Sequence, residues 1–238
     1  MKQYLLQQAS LMGLTMSPQQ AEQFEAYHAL LLQANAQFNL TRVSDDANEA
    51  CDRNYLDSLT LLSQLEGAKS LIDVGSGAGF PGIPLAIMRP DIDITLIDSL
   101  GKRVEFLKSV IAQLGLNARA LHLRSEEAAA KAEFREGFDV ACARAVADLT
   151  VLSELLLPFV KIGGCMLAMK GPGAEEELEN AAFAISELGG GEALILEAPI
   201  PGRSWEHKIV RVTKLSPTPA RFPRRAGMAE KRPLTKGR

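Results

Sequence analysis

Aromatic residues are scarce, only 5% of the 238 residues, so Leu and Ala must supply most of the bulk of any core. Cysteine is scarcer still. Cys51, Cys142 and Cys165 are odd in number, far apart and without a C-x-x-C spacing, which argues against a disulfide framework and against a metal site. They read as small apolar core residues. No apolar run approaches the roughly 20 residues needed to cross a bilayer; Leu155 to Val160 is among the longest. The first residues, Met1-Lys2-Gln3-Tyr4, lack the basic start and continuous apolar stretch of a secretion signal. Together these gaps lead us to expect a protein of the reducing cytoplasm with no metal and no membrane partner.

What is present suits a folded core. Apolar residues make up 47% of the chain, enough for one domain with an appendage. The formal net charge of −3 hides a polarised distribution: residues 211–238 hold nine Lys or Arg against one acid, Glu230. That segment carries +8 and the remainder −11. An acidic body with a basic C-terminal arm suggests that one face or tail meets a polyanion, the plain alternative being a solubilising tail. Pro217, Pro219, Pro223 and Pro233 predict that this tail is extended rather than helical.

The most informative stretch runs from Leu71 to Gly82. It reads as a short buried strand entering a glycine-rich turn and then a helix from about Pro81 to Met88. Glycine lets a ligand approach the backbone closely because no Cβ intervenes. The next apolar run stops at Asp98, about 20 residues on, where a carboxylate can accept both ribose hydroxyl protons. The nicotinamide fingerprint G-x-G-x-x-G needs its third glycine at position 80, which is Phe. The pattern D-x-G-x-G-x-G formed by Asp73, Gly75, Gly77 and Gly79 resembles instead the first motif of S-adenosylmethionine-dependent methyltransferases.

Residues 1–66 read as helical. Ser17-Pro18-Gln19-Gln20 combines an N-cap, a proline at the first helical position and a capping-box glutamine. Phe24, Tyr27, Leu31 and Ala34 recur on one face, a break follows at Asn39-Leu40-Thr41, and Asp46 starts another helix. From Ser70 strands and helices alternate, with strands expected at 70–74, 93–98, 118–123, 138–143, 163–169, 193–198 and 207–213. Helices are expected at 81–89, 101–114, 126–133, 148–158 and 174–188. Such alternation predicts a mainly parallel sheet covered on both faces. The last two strands, with no helix between them, should form an antiparallel hairpin.

At this point several blocks resemble one family. Asn39-Leu40-Thr41, Arg53 to Ser58, Val74 to Ile87, Leu96 to Val104, Arg124-Ser125-Glu126, Ala143-Arg144-Ala145 and Lys170-Gly171 together are similar to the RsmG (GidB) family, the ribosomal RNA small subunit methyltransferases G. The resemblance implies an α/β fold: a Rossmann-like, seven-stranded class I methyltransferase sheet with an N-terminal helical extension. It divides the chain into an extension at 1–66, a methyltransferase domain at 67–214 and a basic tail at 215–238. It implies methyl transfer from S-adenosyl-L-methionine to N7 of a guanine in the 530 loop of 16S rRNA, position 527 by analogy. The partner would be 16S rRNA or the assembling 30S subunit, met by a monomer.

The resemblance also implies site residues. Asp73, Gly75, Gly77 and Gly79 would hold the methionine part of the cofactor, with Phe80 beside its sulfonium region and Asp98 on the ribose. Ser125 and Glu126 would meet the adenine. Arg144 would face the methionine carboxylate or the incoming guanine, its plain alternative being an ion pair with Asp73 or Asp148. Arg124 and Lys170 would contact substrate; apart from the resemblance, the basic charge of the tail leads us to expect that Arg224 and Arg225 clamp phosphates. Removing the tail should then weaken RNA binding and spare cofactor binding. The chain departs from the family pattern at Asn54, where a histidine is usual, at Ala143, where a serine is usual, and at Glu206-His207-Lys208. His28 and His122 are read as packing or surface residues.

Guanine N7 carries a lone pair and no proton, so its methylation needs no general base, and no catalytic residue is assigned. Other readings stay open from the residues alone. They are a methyltransferase acting on protein or a small molecule, a nicotinamide dehydrogenase, and a non-catalytic RNA-binding or assembly protein.

Overall fold

A computed structural model describes residues 1–38, 40–41, 44 and 46–236. Asn39, in the expected break after the second helix, lies outside the described residues.

Two helices open the chain, α1 (Lys2–Leu11) and α2 (Pro18–Phe38). The capping box forms as expected: the Ser17 amide donates to Gln20 Oε1 at 2.8 Å and the Gln20 amide to Ser17 Oγ at 3.1 Å. The same glutamine reaches out through Nε2 to the Ile87 carbonyl at 3.0 Å, fixing the start of α2 against the body. Asp46 caps α3 (Ala47–Ala50) by accepting from the amides of Asn48 and Glu49. The chain then widens into a π-helical turn over Cys51–Leu56, returns through α4 (Asp57–Leu59), and tightens into a 3₁₀ turn over Thr60–Gln64.

The rest alternates: β1 (Ser70–Val74), α5 (Gly82–Met88), β2 (Asp93–Asp98), α6 (Gly101–Leu114), β3 (Ala118–His122), α7 (Ser125–Ala129) and β4 (Phe138–Arg144). Next come α8 (Leu149–Leu156), β5 (Val160–Lys170), α9 (Ala174–Glu187), β6 (Gly190–Glu197), β7 (Lys208–Lys214) and α10 (Met228–Lys231). Gly115 ends α6 in the left-handed region, at φ 61°. The seven strands run in the order β3-β2-β1-β4-β5-β7-β6. β7 is antiparallel to both neighbours, so the expected final hairpin is present.

Successive strand residues face opposite sides. Leu71 joins a core shared with α5, α6 and the N-terminal helices, whereas Ile72 and Val74 join one shared with α8 and α9. Asp73 therefore points to the same side as Leu71, toward α5. The aromatic stripe of α2 lies in that core, with Phe24, Tyr27 and Leu31 fully buried. Burial of each such side chain contributes roughly 1.5–3 kcal/mol. The sheet order reverses between β1 and β4, and the glycine turn leaves β1 at that switch point, where open α/β sheets bind ligands.

The C-terminal segment differs from expectation. Its prolines do keep residues 217–223 irregular, but it folds back on the body and closes with α10. Lys214, fully buried, donates to the carbonyls of Leu157 and Leu188 and to Thr218, and burial pushes its ammonium down to about 8. Arg135 donates to the carbonyls of Phe222 at 2.8 Å and Thr218 at 2.7 Å. Buried backbone carbonyls require such partners, and here side chains supply them.

Candidate cofactor and acceptor site

The turn after β1 is held from both sides. The amides of Gly75 and Ser76 donate to the Ile97 carbonyl of β2, at 2.9 and 3.1 Å. Gly79, at φ 107°, sits where a Cβ would come within 2.6 Å of Ile83 and 2.8 Å of the Tyr27 hydroxyl. That hydroxyl donates to the Ala78 carbonyl at 2.6 Å. The N-terminal lobe thus supports the underside of the turn. A Cβ on Gly75 would strike Val146 at 2.8 Å, and Val146 is brought there by Ala145, a non-glycine residue at φ 54°. Such a conformation costs on the order of 1 kcal/mol or more and persists only where the surroundings impose it.

Asp73 lies beneath this turn with no solvent exposure. Its Oδ2 accepts from the Gly82 amide at 2.9 Å, while its Oδ1 is buried without a hydrogen-bond partner. Burial pushes the carboxyl up to about 7, against the lowering effects of the Gly82 amide and the Arg144 charge. An orphaned, deeply buried acceptor of this kind costs roughly 1–3 kcal/mol unless something donates to it.

Asp98 ends the neighbouring strand in a different state. Its Oδ2 accepts from the Gly77 amide at 2.9 Å and its Oδ1 from the Leu100 amide at 2.8 Å. A carboxylate has about four lone-pair sites, so two backbone donors fix it and leave capacity for hydroxyls. Gly75, Asp98, Arg124, Ser125, Glu126 and Val146 line one cleft. Ser125 is the first residue of α7 rather than its cap, and its hydroxyl donates to the Leu155 carbonyl at 2.7 Å. Glu126 Oε1 accepts from the amide of Gly227, far along the chain, at 2.8 Å.

Arg144 ends β4 with its guanidinium 4.8 Å from the centroid of the Phe80 ring. Phe80 in turn packs on Tyr27 and Tyr55, so position 80 builds an aromatic floor where a dinucleotide fold would need glycine. The Arg144 ion pair is with neither Asp73 nor Asp148. It is with Asp57, at 3.0 Å, with a second bond to the Arg53 carbonyl at 2.8 Å. Asp148 instead caps α8. The other Asp57 oxygen meets His207 Nδ1 at 2.8 Å. His28 is engaged with Tyr55 and His122 with the Ser99 carbonyl, both outside the cleft lining.

Two expected substrate contacts are committed elsewhere. Lys170 donates to Glu177 at 2.6 Å and to the Ala147 carbonyl at 2.7 Å, tying α9 to the loop after β4. Arg224 makes a forked pair with Glu154, whose side chain is 1% exposed, and also donates to the Arg232 carbonyl. Arg225 is exposed on the tail. Among the described residues no group of His, Cys, Asp or Glu is placed to hold a metal ion, and no helix is long and apolar enough to cross a membrane.

The rRNA small subunit methyltransferase G (GidB) model matches residues 20–198. The chain belongs to this family. Relatives named ribosomal RNA small subunit methyltransferase G agree over nearly the full length. The one from Clostridium perfringens is 43% identical across 93% of this chain and 94% of its own. That from Clostridium beijerinckii is 44% identical over the same shares. Solved structures share the fold at low identity. An S-adenosylmethionine-dependent O-methyltransferase from Thermotoga maritima superposes with a TM-score of 0.52 at 14% identity, over 78% of this chain and 71% of that one. The 16S rRNA N2 G1207 methyltransferase of T. thermophilus, in complex with AdoMet and guanosine, gives 0.50 at 14% identity, over 70% and 40%.

The family model ends at residue 198, and the tail beyond it is where the residues alone said least about the cleft. Gly227, Ala229 and Glu230 line it beside Ser125 and Glu126. Asp57 sat inside a recognised block, yet nothing in its spacing singled out its ion pair across 87 residues with Arg144. Val146 carried no signal at all. The support from Tyr27 was legible only as one member of an apolar stripe.

Proposed function

We propose that this protein transfers a methyl group from S-adenosyl-L-methionine to N7 of a guanine in the 530 loop of 16S rRNA, as a monomer acting in the cytoplasm. The observation that carries the cofactor assignment is the pair of strand-end acids: Asp73 with a buried oxygen lacking a donor, Asp98 already oriented by the turn. A ligand with a cationic amino group at one end and a ribose diol at the other fits both. Asp73 would accept from the ammonium, Asp98 from the diol, and Ser125 and Glu126 would border the adenine.

When bound, the cofactor supplies an electrophilic methyl on a sulfonium. The chain's own residues then have three tasks. The glycine turn and Phe80 fix the donor's position, the loop from Ala145 to Asp148 borders the acceptor's approach, and Arg144, aimed by Asp57, faces guanine O6. Because N7 has no proton to lose, orientation is the main contribution, and in favourable intramolecular models it lowers a barrier by roughly 7–11 kcal/mol. Phosphate contact falls to Arg124 and Arg225, which are exposed, rather than to Arg224. The chain divides into an N-terminal helical extension at 1–66, a methyltransferase domain at 67–214 and a basic C-terminal segment at 215–238.

Mapping N7-methylguanosine in rRNA from cells with and without this protein tests the acceptor. One site should lose its methyl group in the deficient cells. An unchanged pattern would refute the assignment.

A further inference from the structure

We infer that the C-terminal segment 224–230 belongs to the cofactor site: it forms the outer wall of the nucleoside end and holds Glu126 in place. Three independent contacts carry this. Gly227, Ala229 and Glu230 line the same cleft as Asp98, Ser125 and Glu126. The Gly227 amide donates to Glu126 Oε1 at 2.8 Å, so the tail orients the carboxylate at the first turn of α7. Upstream, the forked pair of Arg224 with Glu154 anchors the segment to α8, the helix whose Leu155 carbonyl also receives the Ser125 hydroxyl.

The geometry is that of a strap pinned at one end and bonded to the site at the other. Arg224 is 23% exposed at its side chain and Glu154 only 1%. A planar guanidinium bound along both carboxylate oxygens fixes direction as well as distance. Ala229, 3% exposed, packs with Val151 and Leu155 of α8 and seats the last turn. Glu126 then has one oxygen committed to the strap and its second oxygen available to an exocyclic amino group. Removing the strap would free Glu126 to other rotamers and open the nucleoside end to water, weakening every contact there. Removal of the tail would then weaken cofactor binding rather than spare it.

The inference rests on the cleft binding S-adenosylmethionine, and the test separates the two. The full-length double variant Arg224→Met with Glu154→Met removes the pin while leaving no buried charge unpaired. Calorimetric titration with S-adenosylhomocysteine and, separately, with adenosine should show each affinity at least tenfold weaker than for the unaltered protein, by a similar factor, with the far-ultraviolet dichroism unchanged. S-adenosylhomocysteine affinity within twofold of the unaltered protein, or a loss not shared by adenosine, would overturn the inference. Failure of the unaltered protein to bind S-adenosylhomocysteine would instead refute the cofactor assignment. A second measurement needs no substitution. Amide hydrogen exchange across 224–230 in the unaltered protein should slow when S-adenosylhomocysteine is added, and unchanged exchange would equally overturn the strap.

Discussion

Two aspartates end neighbouring strands a few residues from the same turn, yet they are in opposite states. Asp98 is oriented by backbone: the amides of Gly77 and Leu100 each donate to one of its oxygens, and the Arg103 guanidinium lies 3.5 Å from one of them. Asp73 has one donor for two oxygens and lies wholly buried, so its carboxyl is pushed up to about 7. The difference comes from the chain path. At Asp98 two amides of the neighbouring turns reach the carboxylate, whereas at Asp73 only the Gly82 amide does. One acid has a backbone donor on each oxygen, and the other has an oxygen with no donor.

The sharpest way to break this comparison is Asp73→Asn. Ligand affinity should fall by about a hundredfold, roughly 2.7 kcal/mol, because a neutral amide no longer attracts a cationic amino group. The ligand-free chain should nevertheless become more stable at neutral pH. The sign follows from linkage: the folded state holds a proton on Asp73 up to about 7, whereas the unfolded carboxyl releases it near its ordinary value of 3.8. Between those values the folded state binds more protons, so stability falls as pH rises, by up to roughly 1.4 kcal/mol per unit. Urea unfolding of the ligand-free protein from pH 4 to 7 should show this decline, and the Asn variant should lack it.

Gly79→Ala tests the support under the turn. The added methyl would meet Ile83 and the Tyr27 hydroxyl well inside contact distance at a positive φ, and the loss should be about 2 kcal/mol of unfolding free energy. A smaller effect is expected from Asp57→Asn, which leaves Arg144 its bond to the Arg53 carbonyl but removes the charge that aims it. Turnover should drop about tenfold with little change in S-adenosylhomocysteine affinity. Equal losses in both would place Arg144 on the cofactor instead of the acceptor. The smallest effect is expected from Arg225→Ala. RNA binding should lose about 0.7 from its slope against log salt, the share of one phosphate on a single strand.

Much of this was legible before the structure. The alternation of elements, the final hairpin, the capping box of α2 and the glycine turn all follow from local pattern and spacing, because each is decided within a few residues. Asp73 and Asp98 were visible for the same reason. What escaped was long-range. The Arg144–Asp57 pair spans 87 residues, the Arg224–Glu154 pair spans 70 and the Gly227–Glu126 bond spans 101. Charge counting marked the tail as a basic arm for a polyanion, since composition cannot reveal that a buried Glu154 pairs with one of those arginines. The prolines do keep residues 217–223 irregular, although a short helix follows at Met228–Lys231, and irregular backbone is not detached backbone when Arg135 donates to the carbonyls of Thr218 and Phe222.

Titration of the purified protein with S-adenosylhomocysteine, by calorimetry from pH 6 to 8, tests the central claim most directly. Affinity should rise with pH and level off above about 7, as Asp73 ionises, and Asp73→Asn should bind weakly and independently of pH. Equal affinity for the two proteins at every pH, or no binding by either, would contradict it.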